Sequence, residues 1–226
     1  MNEKYNYISA KPGEIINFGV YPQKSAGEDK TPIKWFVLQN SNNEIFLLSK
    51  YIIDCKRYHG KKTDIKWRDC VDITWRDCDL REWLNKEFYN IAFNDNEKKY
   101  IKTVYCNDNG EGSPDTNDKV FLLSVNEIKY FFNIYGKELL RSTGTDFAKA
   151  KKNDGCNLYV YDKNNKENYV ITKDGLIGCS WWWLRTQGNK ASRAVFIGTN
   201  CSIRRYANVS LARDGIRPAL KLKLKK

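Results

Sequence analysis

Seven tryptophans in a chain of 226 residues constrain the fold more than any other feature. Each indole carries a large apolar area and one N–H that needs a partner once it is buried. Trp35, Trp75, Trp83 and two of the run Trp181–Trp183 are therefore expected to anchor a core. Ten Phe and 14 Tyr add to that payload, which excludes a disordered chain. The length suits one generous domain or two small ones, and no linker interrupts the pattern, so one domain over 1–226 is expected. No apolar run approaches the roughly 20 residues of a spanning helix. The stretch MNEKYNYISAKPGEIINFG lacks the apolar segment of a secretory signal. The expectation is a chain that does not insert into membranes and is cytoplasmic when made. Display on a virion or a cell surface would need another route.

Short apolar runs separated by Pro, Gly and Asn predict strands at EIINFGVY (14–21), KWFVLQ (34–39) and EIFLLS (44–49). The pattern then changes. Leu80, Trp83, Leu84, Phe88 and Ile91 recur at helical spacing behind Thr74 and Asp77, predicting a capped amphipathic helix over about 79–92. VFLLSVNEIKYFF predicts a strand followed by a helix from Ser124, with Glu127 in capping-box position. Residues 154–177 are turn-rich around the strand-like YVIT. Strands at both ends with helices between them make the fold class α+β.

The net charge of +12 could attract nucleic acid. Yet the lysines are scattered, outnumber arginines 28 to 11, and accompany no nucleic-acid-binding signature. Coding bias explains them better, and nucleic acid stays a secondary expectation. Seven cysteines, no CxxC and a single histidine, His59, predict reduced thiols, with no metal site and no cofactor. No clustered Asp/Asn motif argues for calcium. Arg81, Arg185 and Arg217 lie inside strongly apolar motifs and are expected to meet carboxylates or backbone carbonyls. Gly215 and Pro218 are expected as turn and edge devices flanking the last strand.

The ordered set FGVYP, WFVL, LLS, TWRDCDLREWLN, FLLS, WWWLRT and GIRPAL resembles an uncharacterised bacterial and phage domain family with a WWLR(S/T)…GVRPAL signature. Cys78 stands where that family has Ser, and Ile216 replaces its Val. The family is similar to C-type-lectin-like folds, akin to formylglycine-generating enzymes and to variable proteins diversified by retroelements. The resemblance implies a C-type-lectin-like single domain with N- and C-terminal strands paired (14–21 beside 216–224), two main helices and a loop-rich ligand face near the C-terminus.

Segment 191–216 has an unusual alphabet. It holds no Lys, Glu, Gln, Met or Trp, although these make up 50 of 226 residues; about six would be expected there. Its four arginines, Arg193, Arg204, Arg205 and Arg213, invert the lysine excess of the rest. A retroelement that randomises the adenines of AAC or AAT codons leaves codons ending in C or T, which encode none of the missing types. On this reading Ile197, Ile203 and Val209, spaced six apart, are fixed and face the core. Ser192, Arg193, Phe196, Gly198, Ser202, Arg204, Arg205, Tyr206, Asn208, Ser210, Leu211, Arg213 and Asp214 are exposed and bind the ligand within a variable region 191–214. The expected function is non-enzymatic: a hypervariable surface on a lectin-like scaffold that recognises a variable macromolecular or glycan ligand. The enzymatic alternative, a formylglycine-generating-like thiol oxidase, would need Cys179 and Cys201 as its reactive pair, with Arg204 and Arg205 as activating cations. A basic nucleic-acid-binding protein is the other alternative.

Overall fold

The alternating runs of the first fifty residues become β1 (Ile15–Tyr21), β2 (Thr31–Ser41) and β3 (Glu44–Ser49), followed by the short β4 (Asp54–Cys55). The computed structural model describes Tyr7 and residues 9–41, 43–60, 72–161 and 178–224. Helix α1 (Asp79–Trp83) runs through a π-helical turn, Leu84–Phe88, into α2 (Tyr89–Ala92). Leu80, Trp83, Leu84 and Phe88 all face inward as expected, but Ile91 is 60% exposed. The π turn explains the difference, because its wider turn shifts every later position off the 3.6-residue period. Nor is Thr74 the cap: it closes a preceding turn onto Asp77 (2.9 Å), and Cys78 caps the helix, its sulfur accepting from the Arg81 amide at 3.4 Å.

Short α3 (Asp95–Lys98), β5 (Val104–Cys106) and β6 (Thr116–Asp118) follow. Residues 120–123, expected as a strand, are buried but make only an isolated bridge from Phe121 to Ala219. Helix α4 (Val125–Tyr135) starts at Ser124 with the expected capping box. The Ser124 hydroxyl accepts from the Glu127 amide (3.1 Å) and Glu127 accepts from the Ser124 amide (2.8 Å). Beyond α5 (Lys137–Leu140) and α6 (Asp146–Lys149) come β7 (Trp182–Gln187), β8 (Arg193–Ile197), β9 (Ile203–Asn208), β10 (Gly215–Ile216) and β11 (Ala219–Lys223). The strand-like YVIT lies outside the described residues.

Among the described residues this α+β chain places more residues in strands than in helices, and the helices are short. The first sheet has the order β1-β2-β3-β11, the second β4-β10-β7-β8-β9, and β5 and β6 form a small two-stranded sheet of their own. The pairing of terminal strands is thus corrected: β11 lies on β3, from Ala219 opposite Leu48 to Lys223 opposite Glu44, and β1 occupies the far edge. The hairpin β2–β3 explains this, since β1 already takes the other side of β2 and leaves β3 with the free ladder. Gly215 is likewise not a turn device. It sits inside the sheet between β4 and β7, where a Cβ would come within 2.3 Å of Ile52.

The tryptophans and arginines hold the core together. Trp35 donates its indole N–H to Phe18 O (2.7 Å), Trp75 to Asp118 (2.9 Å), Trp182 to Leu140 O (3.1 Å) and Trp183 to Lys56 O (3.0 Å). Each thereby buries a large area without orphaning its donor. Arg81 pairs with the buried Asp118 at 2.6 Å. Arg185 reaches Asn109 Oδ1 (3.0 Å), Leu122 O (2.8 Å) and Glu127 (2.5 Å). Arg217 donates to Ser49 O (2.7 Å) and to Leu139 O, with its guanidinium 5.0 Å from the Trp182 ring. All three meet the carboxylates or carbonyls that their apolar surroundings demanded. Burial draws Arg217, whose acceptors among the described residues are carbonyls, down to about 9.

Candidate functional site

The segment with the unusual alphabet folds as a hairpin on the outer edge of the second sheet. Ile197 and Ile203 are direct cross-strand partners and not neighbours along one strand. Ile197 and Val209 are buried, and Ile203 packs half-buried on the core. The ladder slips between Ala194 and Phe196, so β9 carries one residue more than β8 opposite Val195. Such a bulge unpairs the extra residue and re-aims its neighbours. Its consequence here is that the consecutive Arg205 and Tyr206 are both exposed. The Arg205 carbonyl accepts from the Asn189 amide at 2.8 Å, and Gly188 permits that approach: a Cβ there would lie 2.5 Å from the Arg205 oxygen.

Exposure divides the thirteen expected binding residues. Arg205, Tyr206 and Arg213 are exposed, while Arg193, Ser202, Arg204, Asn208, Ser210 and Leu211 are half-buried. Ser192, Phe196, Gly198 and Asp214 are buried, which corrects their expected exposure. Phe196 faces Trp183 across the ladder and is enclosed by rings. Gly198 opens the tight turn that Ser202 closes by accepting the Gly198 amide at 2.9 Å. Ser192 is covered as its carbonyl accepts from the Val209 amide at 3.3 Å. Asp214 is fully buried, both carboxylate oxygens lack partners among the described residues, and burial raises its carboxyl well above the usual range.

The buried Phe196 is the middle of an aromatic row. Tyr159 stacks on Trp181 (3.8 Å between centroids, 13° between planes). Trp181 lies 5.7 Å from Phe196, and Phe196 meets Tyr206 edge-to-face at 5.7 Å. The half-exposed Tyr159 and Trp181 and the exposed Tyr206 bring the row to the surface at both ends. Arg204 is held along it, its Nε donating to Ser202 Oγ (2.6 Å) and its NH1 to the Tyr206 hydroxyl (3.0 Å). Arg213 is tied in through its carbonyl, which accepts from the Tyr159 amide at 2.8 Å. The face therefore offers aromatic edges and guanidinium groups on a rigid base, a combination suited to planar or anionic ligand groups. Sequence reasoning missed Tyr159 and Trp181. Strand alternation puts Trp181 on the same face as Trp183, which was the available signal; Tyr159 arrives from a distant loop and leaves none.

The family profile described as domain of unknown function DUF6273 matches residues 42–224. The chain belongs to that family. No curated protein and no solved structure matches it. Within this DUF6273 chain the match takes in all of the second sheet and the aromatic row, and leaves β1 and β2 outside. Among its described residues no helix is long and apolar enough to cross a membrane, and no group of three His, Cys, Asp or Glu is placed to hold a metal ion. Burial raises the thiols of both Cys179 and Cys201. The cations beside Cys201 are Arg141 and Lys137, and not the expected Arg204 and Arg205, which point to the aromatic row and to solvent.

Proposed function

We propose that this DUF6273 chain is a non-enzymatic binding protein that recognises a macromolecular or glycan ligand through the β8–β9 face. Arg204, Arg205, Tyr206 and Arg213 make the contacts, and Tyr159 and Trp181 extend them. The observation that carries the reading is the bulge of β9, which turns Arg205 and Tyr206 outward together above the buried Phe196. Exposed Arg and Tyr on a rigid buried base are the residue types and setting of binding hot spots. A C-type-lectin-like scaffold and retroelement diversification belong to the same proposal. The order of the sequence motifs and the restricted alphabet of 191–216 support them, with diversification confined to the outward positions.

Two experiments test it. Glycan arrays and displayed-peptide libraries are screened with the wild type and with a variant carrying Ala at 204, 205, 206 and 213. Hits should be lost in the variant while each change moves stability by no more than about 0.5 kcal/mol. Phe196→Ala, by contrast, should cost about 3–5 kcal/mol. Retention of the same hits by the fourfold variant would refute the surface. Sequencing the flanking DNA tests diversification separately: a near-identical, adenine-rich copy of the 191–214 coding segment beside a reverse-transcriptase gene is the expected result.

A further inference from the structure

Cys55 and Cys156 are far apart in sequence and meet in space. Cys55 ends β4, opposite Gly215 of β10. Cys156 lies in the loop after α6, which is fixed by its own bonds: Lys152 N–H to Cys156 O (2.8 Å) and Cys156 N–H to Asp154 Oδ1 (2.9 Å). The Ala212 carbonyl joins the two segments: it accepts from the amide of Asn157, next to Cys156, at 2.8 Å and lies 3.7 Å from the Cys55 sulfur. Cys55 and Cys156 thus flank one carbonyl, and each thiol shifts the proton affinity of the other. Arg57 NH1 stands 3.4 Å from the Cys156 sulfur, and Asp154 Oδ2 lies 3.3 Å from it.

This setting makes the two sulfurs unequal. Cys156, burial, and the neighbouring Asp214 and Asp54 push the Cys55 thiol up. Cys156 is drawn down by Cys55 and by Arg57, against burial and Asp154. A lowered thiol beside a guanidinium is the usual setting of a reactive cysteine. The other described cysteines lack it: burial pushes Cys78 and Cys106 up to about 12 and raises Cys179 and Cys201 as well.

We propose that Cys55 and Cys156 form a peroxide-responsive dithiol, Cys156 attacking a hydroperoxide and Cys55 resolving the product as an intramolecular disulfide. The Cys156 thiolate attacks one oxygen of hydrogen peroxide, the O–O bond breaks, and hydroxide leaves to take up a proton as water. Cys156 is then a sulfenic acid. The Cys55 sulfur attacks that sulfur, and the sulfenic hydroxyl departs with the Cys55 proton as a second water. Two thiols are oxidised to one disulfide, and the peroxide is reduced to two waters. Both sulfurs are closed to solvent, so the oxidant must be small and enter as the loop opens. The disulfide would staple the Cys156 loop to β4 and limit such opening.

The test uses the reduced full chain. It is exposed to hydrogen peroxide under native conditions, then quenched, alkylated and mapped by mass spectrometry. A reversible cross-link between the Cys55 and Cys156 peptides should form before any other disulfide, and the melting temperature should rise until a reductant is added. In Cys55→Ser, dimedone should trap a sulfenic acid on Cys156; in Cys156→Ser, Cys55 should remain unlabelled. Alkylation of both residues after oxidation, with the peroxide consumed elsewhere in the chain, would overturn the proposal, and the wild-type map decides this even if a variant fails to fold.

Discussion

Asp214 shows what a single residue can hide from its sequence. In ARDG it reads as an exposed turn acid, and the restricted alphabet around it places it on the binding surface. Residues 157–159 instead hydrogen-bond along the backbone of Ala212 and Arg213, and the carboxyl is fully buried without a partner among the described residues. No local pattern announces so distant a contact. Burial disfavours the charged form and raises the folded-state value well above 3.8, so the native state holds a proton that the unfolded chain releases. The stability tied to that proton is fully present below the unfolded value and is lost as pH rises through the folded one. Every tenfold weakening of the acid on folding costs about 1.4 kcal/mol once the proton is gone. Asp214→Asn should therefore melt progressively higher than the wild type as pH rises above about 4, and the gap should close on the acid side. A gap independent of pH would show that Asp214 is charged or solvated in the folded chain. The buried arginines were legible by the opposite logic: a guanidinium set in an apolar motif must find acceptors, and Arg81, Arg185 and Arg217 each do.

Elements were legible where their signals are local. The Ser124–Glu127 capping box needs only four residues to specify itself, and α4 starts where they place it. The cap of α1 escapes such reading because a cysteine is not a usual capping residue. Cys78 nevertheless does both jobs of a capping hydroxyl: its sulfur accepts from the Arg81 amide (3.4 Å) and its thiol donates to Trp75 O (3.3 Å). Sulfur is the weaker partner in both, and Ser is among the favoured cap residues. Cys78→Ser should thus raise stability by about 0.5–1 kcal/mol, whereas Cys78→Ala should lower it by a similar amount. Urea midpoints for the three proteins decide this, and a serine variant no more stable than the alanine one would refute the cap. The π turn and the β9 bulge were not legible at all. Each inserts a residue into a regular repeat, and it is the packing of the partner elements, not the intrinsic propensity of Leu84–Phe88 or Arg205–Tyr206, that selects it.

At the scale of the whole molecule, the α+β class and the internal strands could be read from the sequence, but the order of strands in each sheet could not. Pairing of the two termini is a sound expectation for two apolar runs lacking partners, yet which ladder is free depends on hairpins formed elsewhere. The chain crosses from one sheet to the other between β10 and β11. There Ile53 N–H donates to Ile216 O and Ser49 N–H to Pro218 O, both at 2.9 Å. Gly215 lies at the head of that crossing with the fully buried Ile52 against it. A methyl group at 215 would press on Ile52 Cγ2 at 2.3 Å and Leu158 Cδ1 at 3.0 Å, so Gly215→Ala should cost about 1–3 kcal/mol by overpacking. Ile52→Ala alone should cost about 2–5 kcal/mol by leaving a cavity. Together the new methyl fills part of that cavity, so the double variant should be more stable than the sum of the single losses by at least about 1 kcal/mol. Denaturant melts of the four proteins in the cycle measure this coupling. Strict additivity would mean that Gly215 and Ile52 do not share one packed space, and that the two sheets are joined at this crossing by backbone hydrogen bonds without the side-chain contact.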